Sequence, residues 1–255
     1  MPGTLVVFDR DPGICCLLSV AVETLAAIAW TTDESEALRA ICQLKPDMLL
    51  LGAAMPHVEW RGLFQAARAK AGACQIIGIA APEHLSAVRR FAEFGVDGMF
   101  WRTTEMGQIL RRASATLSFT ASARLPWEAH NRHVDRALTY LAVHFIGRVT
   151  LQDVARTVGV SVSHLAHVFA AAAGMSVKEY VVRLKVELAK RLLVASRSTL
   201  EALADECGFY DASHLSRAFR QHVGCWPGEF RGQFVREREI SHMADGVLEA
   251  RLVMS

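Results

Sequence analysis

Through the first 117 positions, apolar residues come in short unbroken runs, and between the runs they recur at three- and four-residue intervals. Short apolar runs bounded by turn residues suit strands buried on both faces, and the intervening periodicity suits helices that cover them. The predicted strands are Leu5 to Phe8, Met48 to Leu51, Ile76 to Ala80 and Met99 to Trp101, with a fifth near Ala27 to Trp30. The predicted helices are Ile14 to Leu25, Ser35 to Leu44 and Leu85 to Phe94. Alternation of this kind builds a doubly wound α/β domain, placed at residues 1–117.

The pattern breaks at SFTASARLPWEAHNR, residues 118–132, where small polar side chains and Pro126 carry no apolar period and predict a linker. From 133 to 234 the chain reads as an all-α domain, with good helix formers, three- and four-residue apolar spacing and glycines as punctuation. That stretch repeats itself. Thr150-Leu151-x-x-x-Ala155-x-x-x-Gly159 recurs as Thr199-Leu200-x-x-x-Ala204-x-x-x-Gly208, and His164-Leu165-x-x-x-Phe169-x-x-x-x-Gly174 recurs as His214-Leu215-x-x-x-Phe219-x-x-x-x-Gly224.

Each copy predicts a short helix, a corner at a glycine able to take positive φ, and a second short helix, which is a helix-turn-helix unit. Thr150 with Asp153 three residues on predicts a capping box, whereas Thr199 faces Ala202 and caps alone. Between the copies, Val177 to Ala195 lacks Gly and Pro and keeps a stripe of Val181, Leu184, Leu188 and Leu192. One helix of that length spans roughly 28 Å, enough to set two recognition helices about one DNA turn apart.

Charge sharpens this picture slightly. The chain of 255 residues has a formal net charge of +2, but residues 1–117 hold 11 Lys/Arg against 12 Asp/Glu, while residues 133–234 hold 12 against 9. The second half is the one suited to a polyanion. With 52% hydrophobic residues the chain can bury two cores, and no apolar run approaches the roughly 20 residues of a membrane span. The start, MPGTLVVFD, carries no export signal, so a cytoplasmic protein without membrane contact is expected. Cys15, Cys16, Cys42, Cys74, Cys207 and Cys225 lack metal-ligand spacing. Buried inert thiols are one reading of them and a redox sensor at Cys15 or Cys16 another. No metal or cofactor is expected.

Residues from about 133 to 234 resemble the DNA-binding domain of the AraC/XylS family of transcription regulators. The resemblance is carried by LQDVARTVGVSVSHLAHVF and LEALADECGFYDASHLSRAFRQHVGCWPGEFR, above all by Gly208-Phe209, Leu215, Phe219 and Gly224-x-x-Pro227-x-x-Phe230-Arg231. Trp226 departs from the small hydroxyl residue usual before that proline, and altered packing is expected there. With Leu165, Phe169, Leu215 and Phe219 pointing inward, helix geometry and the resemblance together aim Ser163, Ala166 and His167 of the first unit at the major groove. In the second unit they aim Ala212, Ser213, Ser216 and Arg217, with Arg220 nearer the DNA backbone. Arg217 is the side chain suited to bidentate recognition of guanine. The first unit has few long polar side chains, so His167 serves either readout or only positioning.

The first 117 residues resemble the receiver domain of response regulators through Val7-Phe8-Asp9-Arg10-Asp11-Pro12, Lys45-Pro46-Asp47-Met48-Leu49-Leu50-Leu51, Met55-Pro56 and Phe94-Gly95-Val96-Asp97. The resemblance implies a flavodoxin-like order of strands and an aspartate three residues before Met-Pro; that place is Gly52. It further implies an uninterrupted acidic cluster, here broken by Arg10 between Asp9 and Asp11. The expected hydroxyl residue is Ala80, and the expected lysine is Arg102 followed by Thr103. The domain is thus expected to be a pseudo-receiver that cannot be phosphorylated. Either its crevice of Asp9, Asp11 and Arg102 binds a small-molecule or protein effector, or Arg10 and Arg102 pair with the two aspartates in a scaffold that serves homodimerisation.

The leading expectation is a promoter-binding transcription regulator on double-stranded DNA, with an interaction module that has lost specific DNA binding as the alternative. Catalysis is not expected: Ser213 and His214 are adjacent and diverge on a helix, and no nucleophile-elbow, phosphate-loop or zinc-protease motif occurs. In the tail, residues 235–255, Leu248, Leu252 and Val253 share a helical face. It caps a domain, meets a partner such as RNA polymerase, or is solvated.

Overall fold

A computed structural model describes residues 3–22, 26–55, 57–70, 74–102, 106–117 and 131–233. The α/β half runs β1 (Gly3–Phe8), α1 (Pro12–Val22), β2 (Ala26–Thr31), α2 (Glu34–Leu44), β3 (Met48–Gly52), α3 (Trp60–Lys70), β4 (Gln75–Ala80), α4 (Leu85–Phe94), β5 (Gly98–Trp101) and α5 (Met106–Leu117). Its five strands are parallel in the order β2-β1-β3-β4-β5, the doubly wound order of flavodoxin-like and receiver domains. The all-α half runs α6 (Arg132–His144), α7 (Leu151–Val158), α8 (Val162–Ala173), α9 (Val177–Ala195), α10 (Leu200–Glu206) and α11 (Ala212–Val223), followed by helical residues 227–233.

All five predicted strands are present. Two helices of the α/β half, α3 and α5, were not among the predicted ones. Gly62 and Gly107 in their first turns blur the apolar period, yet Trp60, Leu63, Phe64 and Ala67 of α3 are all buried. Trp60 stands edge-on to Phe91 at 4.8 Å and to Phe8 at 6.0 Å, which fixes α3 between β1 and α4.

By contacts the chain divides into two compact units between Val181 and Val182, inside α9, with α6 in the same unit as the α/β half. The reason is how α6 packs. Asn131 caps it, accepting from the backbone N–H groups of His133 and Val134, and it packs on α1 and α5 as well as on α7 and α8. Arg111 of α5 donates to both carboxylate oxygens of Asp135 at 2.9 and 3.0 Å. Two glycines let α6 approach this closely. A Cβ on Gly107 would collide with the Asp135 carboxylate, and one on Gly13 of α1 would collide with the Ala142 carbonyl. Linker residues 118–130 and the tail, 235–255, lie outside the described residues, as do Pro56 and Thr103.

Candidate nucleic-acid interface

The two helix pairs are built by the same local rules. In the first, the Thr150 hydroxyl accepts from the Asp153 N–H at 3.2 Å and the Asp153 carboxylate accepts from the Thr150 N–H at 3.1 Å, the capping box the sequence predicts. These Thr150 hydrogen bonds hold the Asp153 carboxyl below its usual range. Gly159, at φ 80°, ends α7, and the Ser161 hydroxyl accepts from the His164 N–H at 3.2 Å to start α8. Arg136 of α6 donates to the carbonyls of Thr157 and Val158 at 2.9 and 3.0 Å, satisfying the end of α7 that has no helical partner.

In the second pair Thr199 caps α10 alone through the Ala202 N–H at 3.3 Å. The corner passes through Gly208 at φ 71°, and Asp211 caps α11 by accepting from the His214 N–H at 2.6 Å. Lys185 of α9 donates to the Gly208 carbonyl, tying down the corner. The neighbouring Cys207 thiol is pushed up to about 12, chiefly by burial, and the Cys74 thiol to about 11 by the same cause, so both are inert at neutral pH.

These frames present the predicted side chains as follows. Leu165, Phe169, Leu215 and Phe219 have no exposed surface. Ser163, His167, Ser213, Arg217 and Arg220 are exposed, and Ala166, Ala212 and Ser216 are half-buried. Three features went unread in the sequence. Arg220 lies over the Trp226 ring at 4.5 Å, so the unusual tryptophan gives this guanidinium a resting place. Tyr210, at the second corner, is 92% exposed. His133 of α6 and His164 of α8 meet edge to face at 5.7 Å. Only the placement of α6 beside α8 brings these two rings together, across 31 positions of sequence.

Residues 154–233 match the helix-turn-helix domain family. This stretch is similar to the helix-turn-helix domains of AraC-like transcription regulators. Its sequence relatives include a Streptomyces lividans protein described as an AraC-like transcription regulator, 40% identical over 82 residues, 32% of this chain and 27% of that protein. The HTH-type transcriptional regulator ExsA of Pseudomonas aeruginosa is 27% identical over 101 residues, 40% of this chain and 36% of that protein. The match therefore spans about a third of the length of these curated relatives.

Among solved structures, the all-α half is similar to the DNA-binding domain of AdpA in complex with target DNA, at 21% identity and a TM-score of 0.40, covering 42% of this chain and 96% of that one. The α/β half is similar to the REC domain of AraT, a response regulator from Geobacillus stearothermophilus, at 23% identity and a TM-score of 0.39, covering 46% and 93%. The fold itself rests on the strand order and helix pairs described above.

At the strand ends of the α/β half, Asp9 is fully buried and Arg102 Nη2 donates to both of its carboxylate oxygens, at 2.8 and 3.0 Å, while Arg102 Nη1 donates to Asp11 at 2.6 Å. Asp9 further accepts from the Asp11 N–H, and Asp11 from the Gly13 N–H. Burial raises the Asp9 carboxyl above its usual range and Arg102 pulls it back; burial likewise works against the Arg102 charge, but Asp9 and Asp11 outweigh it and hold the guanidinium protonated. Arg10, expected to share in this pairing, is exposed, and among the described residues the pairing is made by Arg102. Gly52 ends β3 directly beside this group, where a Cβ would collide with the Asp9 carboxyl. Ala80, on β4, is buried. No cluster of metal-ligating side chains occurs among the described residues, and no helix among them is long and apolar enough to cross a membrane.

Proposed function

We propose that this protein is a sequence-specific, DNA-binding transcription regulator acting in the cytoplasm, whose receiver-like half works without being phosphorylated. The observation that carries the DNA-binding part is the pair of helix-turn-helix units that bury the same leucine and phenylalanine while exposing Ser163 and His167 on α8 and Ser213, Arg217 and Arg220 on α11. Arg217 is the specificity anchor and Ala166, Ala212 and Ser216 line the approach to the bases.

The second part rests on chemistry at Gly52. Glycine offers no carboxylate to accept a phosphoryl group, and the space a side chain would need is taken by Asp9 held on Arg102. Control then falls to dimerisation of the α/β half or to an effector or partner protein that binds it. Contacts of α1 and α5 with α6 are the route by which such an event reaches the first helix-turn-helix pair. Residues 1–117, 133–234 and 235–255 are the functional segments of this reading.

Genome-wide binding of the tagged protein, followed by salt titration of the purified chain on its strongest site, tests it. Discrete peaks sharing a two-part motif about one helical turn apart, with steeply salt-dependent affinity, are expected. Featureless occupancy would instead favour an interaction module that has lost specific binding. Labelled acetyl phosphate is expected to leave the protein unmodified, and incorporation into the α/β half would overturn the second part.

A further inference from the structure

Helix α8, VSHLAHVFAAAA, carries no lysine, arginine, aspartate or glutamate, so the first recognition helix has no permanent charge with which to hold a phosphate backbone. A module on DNA draws most of its sequence-independent affinity from such contacts. The structure gathers cations beside this helix from elsewhere. His133 and Arg132 occupy the start of α6, His164 the first turn of α8, and the two imidazoles are in edge contact at 5.7 Å. Arg132 and His164 are exposed and His133 is half-exposed.

We infer that Arg132, His133 and His164 form a proton-linked clamp for the phosphate backbone of duplex DNA, on the rim of the first helix-turn-helix unit. The inference rests on the DNA-binding reading above and names a surface that reading did not contain.

Among the described residues the electrostatics around the pair are one-sided. The charged or titratable groups there that act on His133 are Arg132 and Arg136 on its own helix and His164 on α8, all cationic when charged. Arg136 is turned to the carbonyls ending α7. The carboxylates of the packed elements are engaged elsewhere, Asp135 with Arg111 of α5 and Asp153 of α7 with Thr150 and Arg156. Burial of the ring, reinforced by these cations, holds the His133 imidazole below its usual range, and Arg132 Nε lies 3.5 Å from its Nε2, the geometry of a neutral ring that accepts.

A phosphate arriving at this rim reverses the local potential, favouring the imidazolium. Protonating Nε2 displaces the Arg132 donor, which is freed for the phosphate. The sign follows: binding takes up protons, so affinity rises as pH falls through the histidine range.

The test is fluorescence anisotropy of the full chain on two labelled 40-bp duplexes, one carrying its strongest genomic site and one a scrambled sequence, at pH 6 and pH 8 over a salt series. Wild-type affinity is expected to rise about tenfold from pH 8 to pH 6 on both duplexes. Each phosphate contact contributes about 0.9 to the log–log salt slope. The His133→Ala/His164→Ala variant is therefore expected to lose about 2 from that slope at pH 6 and little at pH 8. Arg132→Gln is expected to lose about 1 at both pH values, and equal melting temperatures show that the variants fold.

Wild-type binding with no pH dependence, or a double variant whose pH dependence is intact, overturns the clamp and leaves the DNA-binding reading standing. Intact pH dependence there would assign it to His167 or His214. Failure of the wild type to bind either duplex overturns both.

Discussion

Position by position, α8 and α11 share an inward leucine and phenylalanine and an exposed Ser-His pair in the first turn, and part company on the outer face beyond it. Leu165 corresponds to Leu215 and Phe169 to Phe219, all without exposed surface. On the outer face, α8 offers Ser163 and His167 over a run of alanines, whereas α11 offers Ser213, Arg217 and Arg220. An interior is constrained by packing density, so two copies of one unit keep it. The outer face is free to specialise. On the proposed function the second unit holds the side chain that reads bases, while the first sits on a helix that is itself gripped by the α/β half.

The largest test of this comparison concerns the shared interior. Phe169→Ala and Phe219→Ala are each expected to cost about 3–5 kcal/mol of stability, measured by denaturant unfolding. A clear difference between them would mean that the two interiors are not equivalent. Next in size, Asp135→Ala leaves Arg111 facing an emptied, largely buried site and is expected to cost about 3 kcal/mol in the first compact unit. Faster hydrogen exchange in α5 and α6 checks it. Unchanged exchange there would show that the α/β half does not steady the first pair.

On the surface, Arg217→Ala is expected to weaken binding to the strongest genomic site by about 1–3 kcal/mol and to relax the base preference at one position. His167→Ala should leave that preference intact. If the two effects came out reversed, so would the assignment of readout to α11.

The smallest difference lies in the caps. Thr150→Ala and Thr199→Ala are each expected to cost about 1 kcal/mol, read from thermal melts. Only the first should be pH-dependent in acid. The folded state holds Asp153 below its ordinary value of 3.8, so its contribution is present above that value and is lost as pH falls through the lower, folded one.

The sequence showed the strands because β1 and β3 are buried on both faces and read as unbroken apolar runs. It showed the helix pairs because a repeat displays its own inward positions. Helices α3 and α5 escaped notice where glycines interrupt their first turns, and Gly107 is there to admit Asp135, a reason written on a different helix. The exclusion at Gly52 was half legible: the missing carboxylate could be read, but the position of Asp9 against it could not, because it depends on Arg102, which follows β5. The histidine pair was invisible for the same kind of reason, each residue being ordinary in its own helix.

Helix α6 serves two owners, with Val134, Ala137, Leu138 and Leu141 buried and Asp135 spent on the α/β half. Proteins assembled from interchangeable parts usually meet at surfaces that tolerate a stranger. This seam does not, because it needs a glycine at 13, a glycine at 107 and an arginine at 111 to receive one particular helix. Recombination at the linker with a foreign sensor would therefore yield a chain whose halves mismatch, and inheritance should move α1, α5 and α6 as a block even where everything around them drifts.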